Sequence, residues 1–370
     1  MKKIGIITYH AAYNFGSVLQ AYATQEVVRR LGYEAKIINY RPIAQKRFYG
    51  IVCVGNGYKR FAKSILQLRN FKQRRLRVQK YEDFISQKLV LTTEINYPQE
   101  TSSFSDEFDI YISGSDQIWN KHSNELYRVN WDYMNPYLLS FTNRRKISYA
   151  SSLGDMTEEE IDHVSEQINL FDFISCREKD SSIILSKKLN RHVENVLDPT
   201  LLLSSEEWDE ALQIVSERKS GNYILYYSLQ GIGTVEREIN QIRSLFPNYR
   251  IIAIAPLAPF KADRMVTNSS ESGPDEFVNL IKNAKLVITS SYHGTLFSIN
   301  YNVPFYTIKR KNKVLNLRFN NILSLLGLED RLVDEIKDGM QKFAINYDEA
   351  NGKLCIHRTQ SIGYLRKALE

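Results

Sequence analysis

The stretch Lys285–Lys309, KLVITSSYHGTLFSINYNVPFYTIK, restricts the fold more than any other part of the chain. Its apolar run Leu286–Ile288 is too short for a helix and rich in β-branched side chains, so it reads as a buried strand. A polar, glycine-containing turn, Thr289–Thr295, interrupts that run. Leu296, Phe297 and Ile299 then recur as on a helix until Pro304 restarts extended chain. Strand, turn, helix, strand is the repeating unit of an open parallel sheet. Such sheets bind ligands just beyond the carboxyl ends of their strands, where helix N-termini turn N–H groups toward anions. His293 stands at that junction, with Ser290, Ser291, Gly294 and Thr295 around it. A histidine placed there either handles a proton or an anion, or merely caps the helix and bonds a loop carbonyl; the strand-end position favours the first.

The same order opens the chain. A strand at Lys3–Thr8 gives way to a turn containing Asn14, Gly16 and Ser17, and then to a helix that includes Gln20 and is stopped by Gly32. A second strand, Glu34–Tyr40, follows. Backbone and side-chain donors converge at this turn, which suits an anion or sugar hydroxyls, although plain capping by Asn or Ser explains the same residues. Further strands are expected at Phe108–Ser113, Lys146–Ser151, Val193–Leu197, Tyr223–Leu229 and Arg250–Ala255, with helices from Thr234 to Phe246 and from Asp275 to Asn283. Thr157 with Glu160 forms a capping box that starts another helix. A chain of 370 residues exceeds what one core supports. The expectation is therefore α/β, with two Rossmann-like domains facing a cleft. Residues 1–200 would form the N-terminal, acceptor-side domain, carrying a basic helical insertion at about 41–90. Residues 201–345 would form the donor-side domain, and 346–370 a helical tail packed back on the first.

Three more strand-end positions carry chemistry. The strand Phe108–Ser113 runs into GSDQIWN, where Gly114 frees the backbone and Asp116 can accept a proton or orient a hydroxyl. Asp116 can equally be an N-cap. Trp119 either offers a platform for a sugar ring or belongs to the core. Arg177, in SCREKDS, suits bidentate recognition of carboxylate or phosphate, or a salt bridge to Glu178 or Asp180. Arg318 lies on a helix whose apolar face includes Phe319, Ile322, Leu323 and Leu326.

The net charge of +7 is local: Arg41 to Tyr81 holds twelve Lys or Arg and no Asp or Glu, leaving the rest of the chain at −5. Phe61, Ile65, Leu68 and Phe71 recur there at helical spacing. A solvated helix face, an anionic membrane surface and nucleic acid are the three readings. No nucleic-acid fold signature accompanies the charge, so nucleic acid is set aside. No run of about 20 apolar residues and no signal peptide is seen, which makes a cytoplasmic protein the expectation. Cys53, Cys176 and Cys355 form no CxxC pair and read as reduced, buried or inert thiols rather than disulfide or zinc ligands. There is no Walker loop and no paired metal-ligand motif.

Taken in order, NFGSVLQAYA, SGSDQIWN, SCREKDS, LDPTLLL and TSSYHGTLFSINYNVPF resemble the polysaccharide pyruvyl transferase family, over Asn14 to Phe305. The resemblance implies a fold similar to the glycosyltransferase B type. It also implies transfer of a pyruvyl group from phosphoenolpyruvate to a sugar, closing a cyclic ketal across two hydroxyls, with no metal and no cofactor beyond that co-substrate. On this basis His293 and Asp116 are the candidate catalytic residues. Arg177, Ser290, Ser291, Gly294, Thr295 and Arg318 are candidates for the donor, and Asn14, Gly16, Ser17, Gln20 and Trp119 for the acceptor. Many members of the family carry an arginine two residues before the histidine. Here that position is Ser291, and Arg318 or the cluster Lys309, Arg310, Lys311 and Lys313 is expected to replace the charge. A lipid-linked acceptor at the inner membrane face would give the basic segment 41–81 a peripheral contact with anionic headgroups. A nucleotide-sugar glycosyltransferase and a non-catalytic saccharide-binding scaffold are the alternatives.

Overall fold

The structure, a computed structural model, describes residues 1–49, 71–123, 129–215, 221–311, 314–341 and 343–370. Phe61, Ile65, Leu68, Lys313 and Cys53 lie outside the described residues, and with them most of the expected apolar stripe of the basic segment. The chain divides into two units. Among the described residues, the first takes the chain before residue 50, Ile85–Leu202 and Ile356–Glu370. The second takes the start of the helix at Phe71, as far as Phe84, together with Leu203–Cys355.

The first part of the chain runs β1 (Lys3–Ile7), α1 (Phe15–Arg30), β2 (Glu34–Ile37), α2 (Ile43–Tyr49), α3 (Phe71–Lys88), β3 (Ile110–Ser113), β4 (Arg145–Ser148), α4 (Glu158–Asn169), β5 (Ser175–Cys176), α5 (Lys179–Leu189) and β6 (Glu194–Asn195). Four strands form a parallel sheet in the order β2-β1-β3-β4. Single parallel bridges, Ile147 to Phe173 and Ser151 to Cys176, carry the pattern on to the short β5-β6 pair. β3 is buried along its whole length, as strands covered on both faces are. The capping box forms as the sequence indicates: Thr157 Oγ1 accepts from the Glu160 amide at 3.3 Å, and Glu160 Oε2 accepts from the Thr157 amide at 2.9 Å.

The second unit continues with α6 (Ser205–Leu212), β7 (Tyr223–Tyr227), α7 (Ile232–Leu245), β8 (Arg250–Ile254), β9 (Val266–Asn268), α8 (Pro274–Asn283), β10 (Leu286–Thr289), α9 (Tyr292–Asn300), β11 (Phe305–Ile308), α10 (Val314–Leu326) and β12 (Leu332–Val333). α11 (Asp348–Leu369) ends the chain. The sheet is parallel throughout, in the order β12-β11-β10-β7-β8-β9. β9 and β12 are absent from the sequence reading because runs of three and two residues carry no periodic signal.

Only part of the basic segment stays with the first domain as expected: among the described residues α2 and the chain from Ile85 do, and Phe71–Phe84 do not. Up to Phe84, α3 belongs to the second unit, because Lys80 Nζ meets both carboxylate oxygens of Glu276 on α8 at 2.6 Å. Among the described residues no helix is long and apolar enough to cross a membrane. Cys176 is buried, and burial raises its thiol well above the ordinary range; Cys355 is exposed.

Gly114 has a different reason from the backbone freedom inferred above. The positive φ in this turn, 80°, belongs to Asp116. A Cβ on Gly114 would instead sit 2.8 Å from Thr8 Cβ and 3.4 Å from the Ile7 carbonyl oxygen, so glycine is needed for β1 and β3 to close at their ends. Gly114→Ala should therefore lower the urea midpoint, with a cost of about 1–3 kcal/mol as overpacking gives. An unchanged midpoint would show that the strand ends can spread.

Candidate active site

In each sheet the chain order reverses between two neighbours, β1 and β3 in the first, β7 and β10 in the second. At such switch points the connections depart to opposite sides and leave a crevice over the strand ends. Most of the candidate residues fall at these two places; Arg177, past the end of β5, and Arg318, on α10, do not.

In the second unit the β10 end runs into α9. Ser291 is the N-cap, with Oγ accepting from the Gly294 amide at 3.4 Å, and its own amide bonds Thr289 Oγ1 at 3.0 Å. Gly294 lets α9 lie against the sheet: a Cβ there would be 2.7 Å from Thr289 Oγ1 and 3.2 Å from the Tyr227 ring. Thr295 is wholly buried and bonds the Ser291 carbonyl at 3.1 Å and Thr307 Oγ1 at 2.7 Å, so it fixes the helix to β11. Ser290, also buried, receives the Leu229 amide on Oγ at 3.3 Å and ties the β7 end to the β10 end. His293 lies in the first turn of α9, 8% exposed.

Arg310, just beyond β11, completes this group. Its Nε donates to the Ser290 carbonyl at 2.9 Å, and Asn316 clamps its backbone on both sides at 2.8 Å. Nη2 is buried without a hydrogen-bond partner, and among the described residues no carboxylate pairs with the guanidinium. Burial pushes its pKa below the ordinary arginine value, with Tyr227 acting the other way. Tyr227, 2% exposed at the β7 end, has its phenol pushed up by burial, while Arg77, the Ser291 hydroxyl and Arg310 pull it down. Arg318 rests over the ring of Tyr292 at 5.3 Å, next to His293. Lys309 instead pairs with Asp334 at 3.0 Å, and Lys311 is exposed.

In the first unit Asn14 is the N-cap of α1, with Oδ1 accepting from the Gly16 amide at 2.9 Å. Ser17 Oγ donates to Asp116 Oδ2 at 2.6 Å, and the Gln117 amide holds the other carboxylate oxygen at 2.9 Å. Gln20 is buried and serves the scaffold: Nε2 donates to Thr8 Oγ1 at 2.8 Å and to the Ser17 carbonyl at 2.9 Å, and Thr8 Oγ1 donates to the Ser115 carbonyl at 2.8 Å. Asp116 is only half-buried, and its left-handed backbone is the kind of strain retained where a side chain must be aimed. His10, which the sequence reading passed over, is fully buried between the Thr8 carbonyl at 3.2 Å and Asn39 Oδ1 at 2.9 Å. Its position just past a strand, like that of His293, was the available signal.

Two expectations need correction. Trp119 is no platform for a sugar: it is fully buried, edge-on to Phe171 at 5.6 Å, with its indole N–H given to the Tyr137 carbonyl at 3.2 Å. Arg177 is no open donor contact. Its side chain is 1% exposed and pairs with Asp198 at 2.9 Å and Glu178 at 3.0 Å. Asp198 also accepts from the Thr200 amide at 3.0 Å and its hydroxyl at 2.7 Å, so the arginine holds the LDPT turn rather than a ligand. Among the described residues no group of three or more His, Cys, Asp or Glu is arranged to hold a metal.

A sequence model described as polysaccharide pyruvyl transferase matches residues 14–312. No curated protein matches the chain. Among solved structures, the UDP-GlcNAc 2-epimerase of Methanocaldococcus jannaschii is similar with a TM-score of 0.50 at 11% identity, covering 96% of this chain and 99% of its own. The UDP-GlcNAc 2-epimerase of Neisseria meningitidis has a TM-score of 0.48 at 10% identity, covering 97% and 99%. The first likeness shows the fold, a pair of Rossmann-like domains of the glycosyltransferase B type.

If Arg177 is structural, Arg177→Met should lower the urea midpoint strongly, by about 3–5 kcal/mol, because it leaves Asp198 charged and buried without its cation. Unchanged stability with lost ligand binding would restore the donor role.

Proposed function

The chain belongs to the polysaccharide pyruvyl transferase family, and we propose that it moves a pyruvyl group from phosphoenolpyruvate to a sugar of a cell-surface polysaccharide or its lipid-linked precursor, closing a cyclic ketal. Membership indicates a transferase acting on polysaccharide. The second unit's switch point supports the donor reading, and the ketal is what the family resemblance implies.

The observation that carries the reading is Arg310. A partly buried cation whose Nη2 is shut off from water and has no anionic partner is costly, and a protein keeps one where a ligand supplies the missing charge. This guanidinium lies against the Ser290 carbonyl, beside the N-cap of α9. Its Nη2 has no partner among the described residues. Arg310 thus offers from β11 the charge that Ser291 does not, next to a helix N-terminus that itself favours anions. Phosphoenolpyruvate brings a carboxylate and a phosphate, and a planar fork suits either.

The chemistry then needs an acid and a base. Protonation of the methylene carbon leaves an oxocarbenium-like centre at C2. A sugar hydroxyl attacks that carbon and gives up its proton, the C–O bond to phosphate breaks, and a second hydroxyl closes the ring with loss of its proton. In this reading His293 supplies the acid or holds the phosphate, and Arg318 lies within reach of the same helix end through Tyr292. Asp116 takes the hydroxyl proton, aimed by Ser17 and the Gln117 amide. Asn14 and Gly16 line the acceptor side. No cofactor is required.

Thermal-shift titration with phosphoenolpyruvate tests this, since a ligand bound only by the native state raises apparent stability. The wild-type chain should be stabilised. Arg310→Ala should weaken binding about tenfold to a hundredfold, the worth of one or two hydrogen bonds to a charged group. A response to a uridine diphosphate sugar instead, or silence toward both, would overturn the donor assignment.

A further inference from the structure

His10 has no task in the reaction above, yet its hydrogen bonds restrict how many protons it carries. Both ring nitrogens face oxygen, Nδ1 the Thr8 carbonyl at 3.2 Å and Nε2 the Asn39 side-chain oxygen at 2.9 Å. A carbonyl only accepts, so Nδ1 carries a proton. A bare Nε2 would require the Asn39 amide to turn and offer its N–H group instead. Arg41 prevents that, because its Nε, which can only donate, meets the same Asn39 oxygen at 2.9 Å. Nε2 therefore carries a proton as well, and the fully buried ring is an imidazolium.

The surroundings hold the backbone of this arrangement and leave the amide to turn. The Asn39 N–H donates to Thr92 Oγ1 at 3.0 Å, and its carbonyl accepts from the Ile95 N–H at 3.0 Å. The Arg41 N–H in turn donates to the Ile95 carbonyl at 2.8 Å. The groups reached through Thr8, which are Gln20 and the Ser115 carbonyl, are neutral. Charge lies on the other side: Arg41 first, then Glu94 at 3.6 Å from its Nε, then Lys46 paired with Glu94. Burial acts to raise the Glu94 carboxyl, but Lys46, Asn96 and Arg41 outweigh it and hold it below the ordinary range. Glu94 is thus charged wherever an imidazole titrates. Two cations share one neutral amide oxygen, which suits them only while His10 keeps both protons.

We propose that His10, Asn39 and Arg41 form a pH-sensitive latch in which protonated His10 fastens the Arg41 side chain to Asn39, and its deprotonation gives up that bond. When Nε2 releases its proton to solvent, its lone pair faces the Asn39 oxygen. The amide then turns so that Nδ2–H donates to Nε2, while Nδ1–H stays on the Thr8 carbonyl. Arg41 Nε is left facing an N–H group and parts from Asn39, with Glu94 still drawing it. One proton leaves for each latch that opens, so the latch is closed in acid and opens as pH rises. Arg41 is the first of the twelve Lys and Arg before Tyr81, which puts the latch where the basic segment begins. The inference is independent of the donor reading.

Nitrogen-15 NMR of the full chain, labelled at histidine and arginine and followed from about pH 5.5 to about pH 9, tests it. The chain has six histidines, and His10→Gln and Arg41→Met identify the two signals. At the acid end both His10 nitrogens should carry protons. With rising pH the proton should leave Nε2 and stay on Nδ1, and the Arg41 Nε–H signal should move with the same midpoint. Asn39→Asp keeps an oxygen toward both donors and has no N–H to offer: the His10 midpoint should rise by about one pH unit or more, and the Arg41 signal should no longer follow it. Should His10→Gln fail to fold, the histidine signal displaced in Asn39→Asp is that of His10. A ring neutral at the acid end, loss of the Nδ1 proton, or an Arg41 signal that stays in place while His10 titrates would each overturn the latch.

Discussion

Parallel strands cannot turn back on themselves, so each must be followed by a crossover that covers one face of the sheet. Where two neighbouring strands send their crossovers to opposite sides, nothing covers their carboxyl ends. That constraint places most of the candidate residues of this chain. In the first unit it opens the space between β1 and β3, filled by the Thr8, Ser17, Gln20 and Asp116 network. In the second it opens the space between β7 and β10, where Ser290, Ser291 and Tyr227 meet. The close approaches at Gly114 and Gly294 serve the same end, since each lets a backbone come within van der Waals distance of the crevice floor.

The two arginines at strand ends show how burial sorts one residue type into two tasks. Arg177 is buried and Arg310 partly so, but Arg177 meets two carboxylates and Arg310 meets a carbonyl. In a low dielectric the first arrangement is self-sufficient and tightens a turn. The second remains electrostatically incomplete, with burial depressing its pKa. Sequence presents both as an arginine just past a strand. The distinction lies in Asp198, which is 21 residues from Arg177 and becomes its neighbour only through the β5-β6 pairing.

Much of the fold was legible because parallel strands buried on both faces write themselves as short apolar runs: β3, β10 and β11 are buried from end to end and sit where the runs predict. β9 and β12 were not legible, being too short to show a period. At the sites, the turn Ser290–Thr295 and the pair Ser17 and Asp116 could be found from strand-end position alone. Trp119 could not be placed, since an aromatic in a polar turn reads the same whether it faces a sugar or Phe171.

The last turns of α11 belong to the first unit, where Ser361 receives the Leu197 amide at 2.9 Å and the Tyr364 hydroxyl bonds the Ser148 carbonyl at 2.8 Å. All of Leu203–Cys355 lies between that helix end and the strands it covers. On the ribosome, then, the second unit's six strands emerge complete while the first unit still waits for its closing segment. Tyr149, which sits against Tyr364 at 6.2 Å, stays uncovered on that side until then. Synthesis thus imposes an order of maturation opposite to the order in which the two units begin.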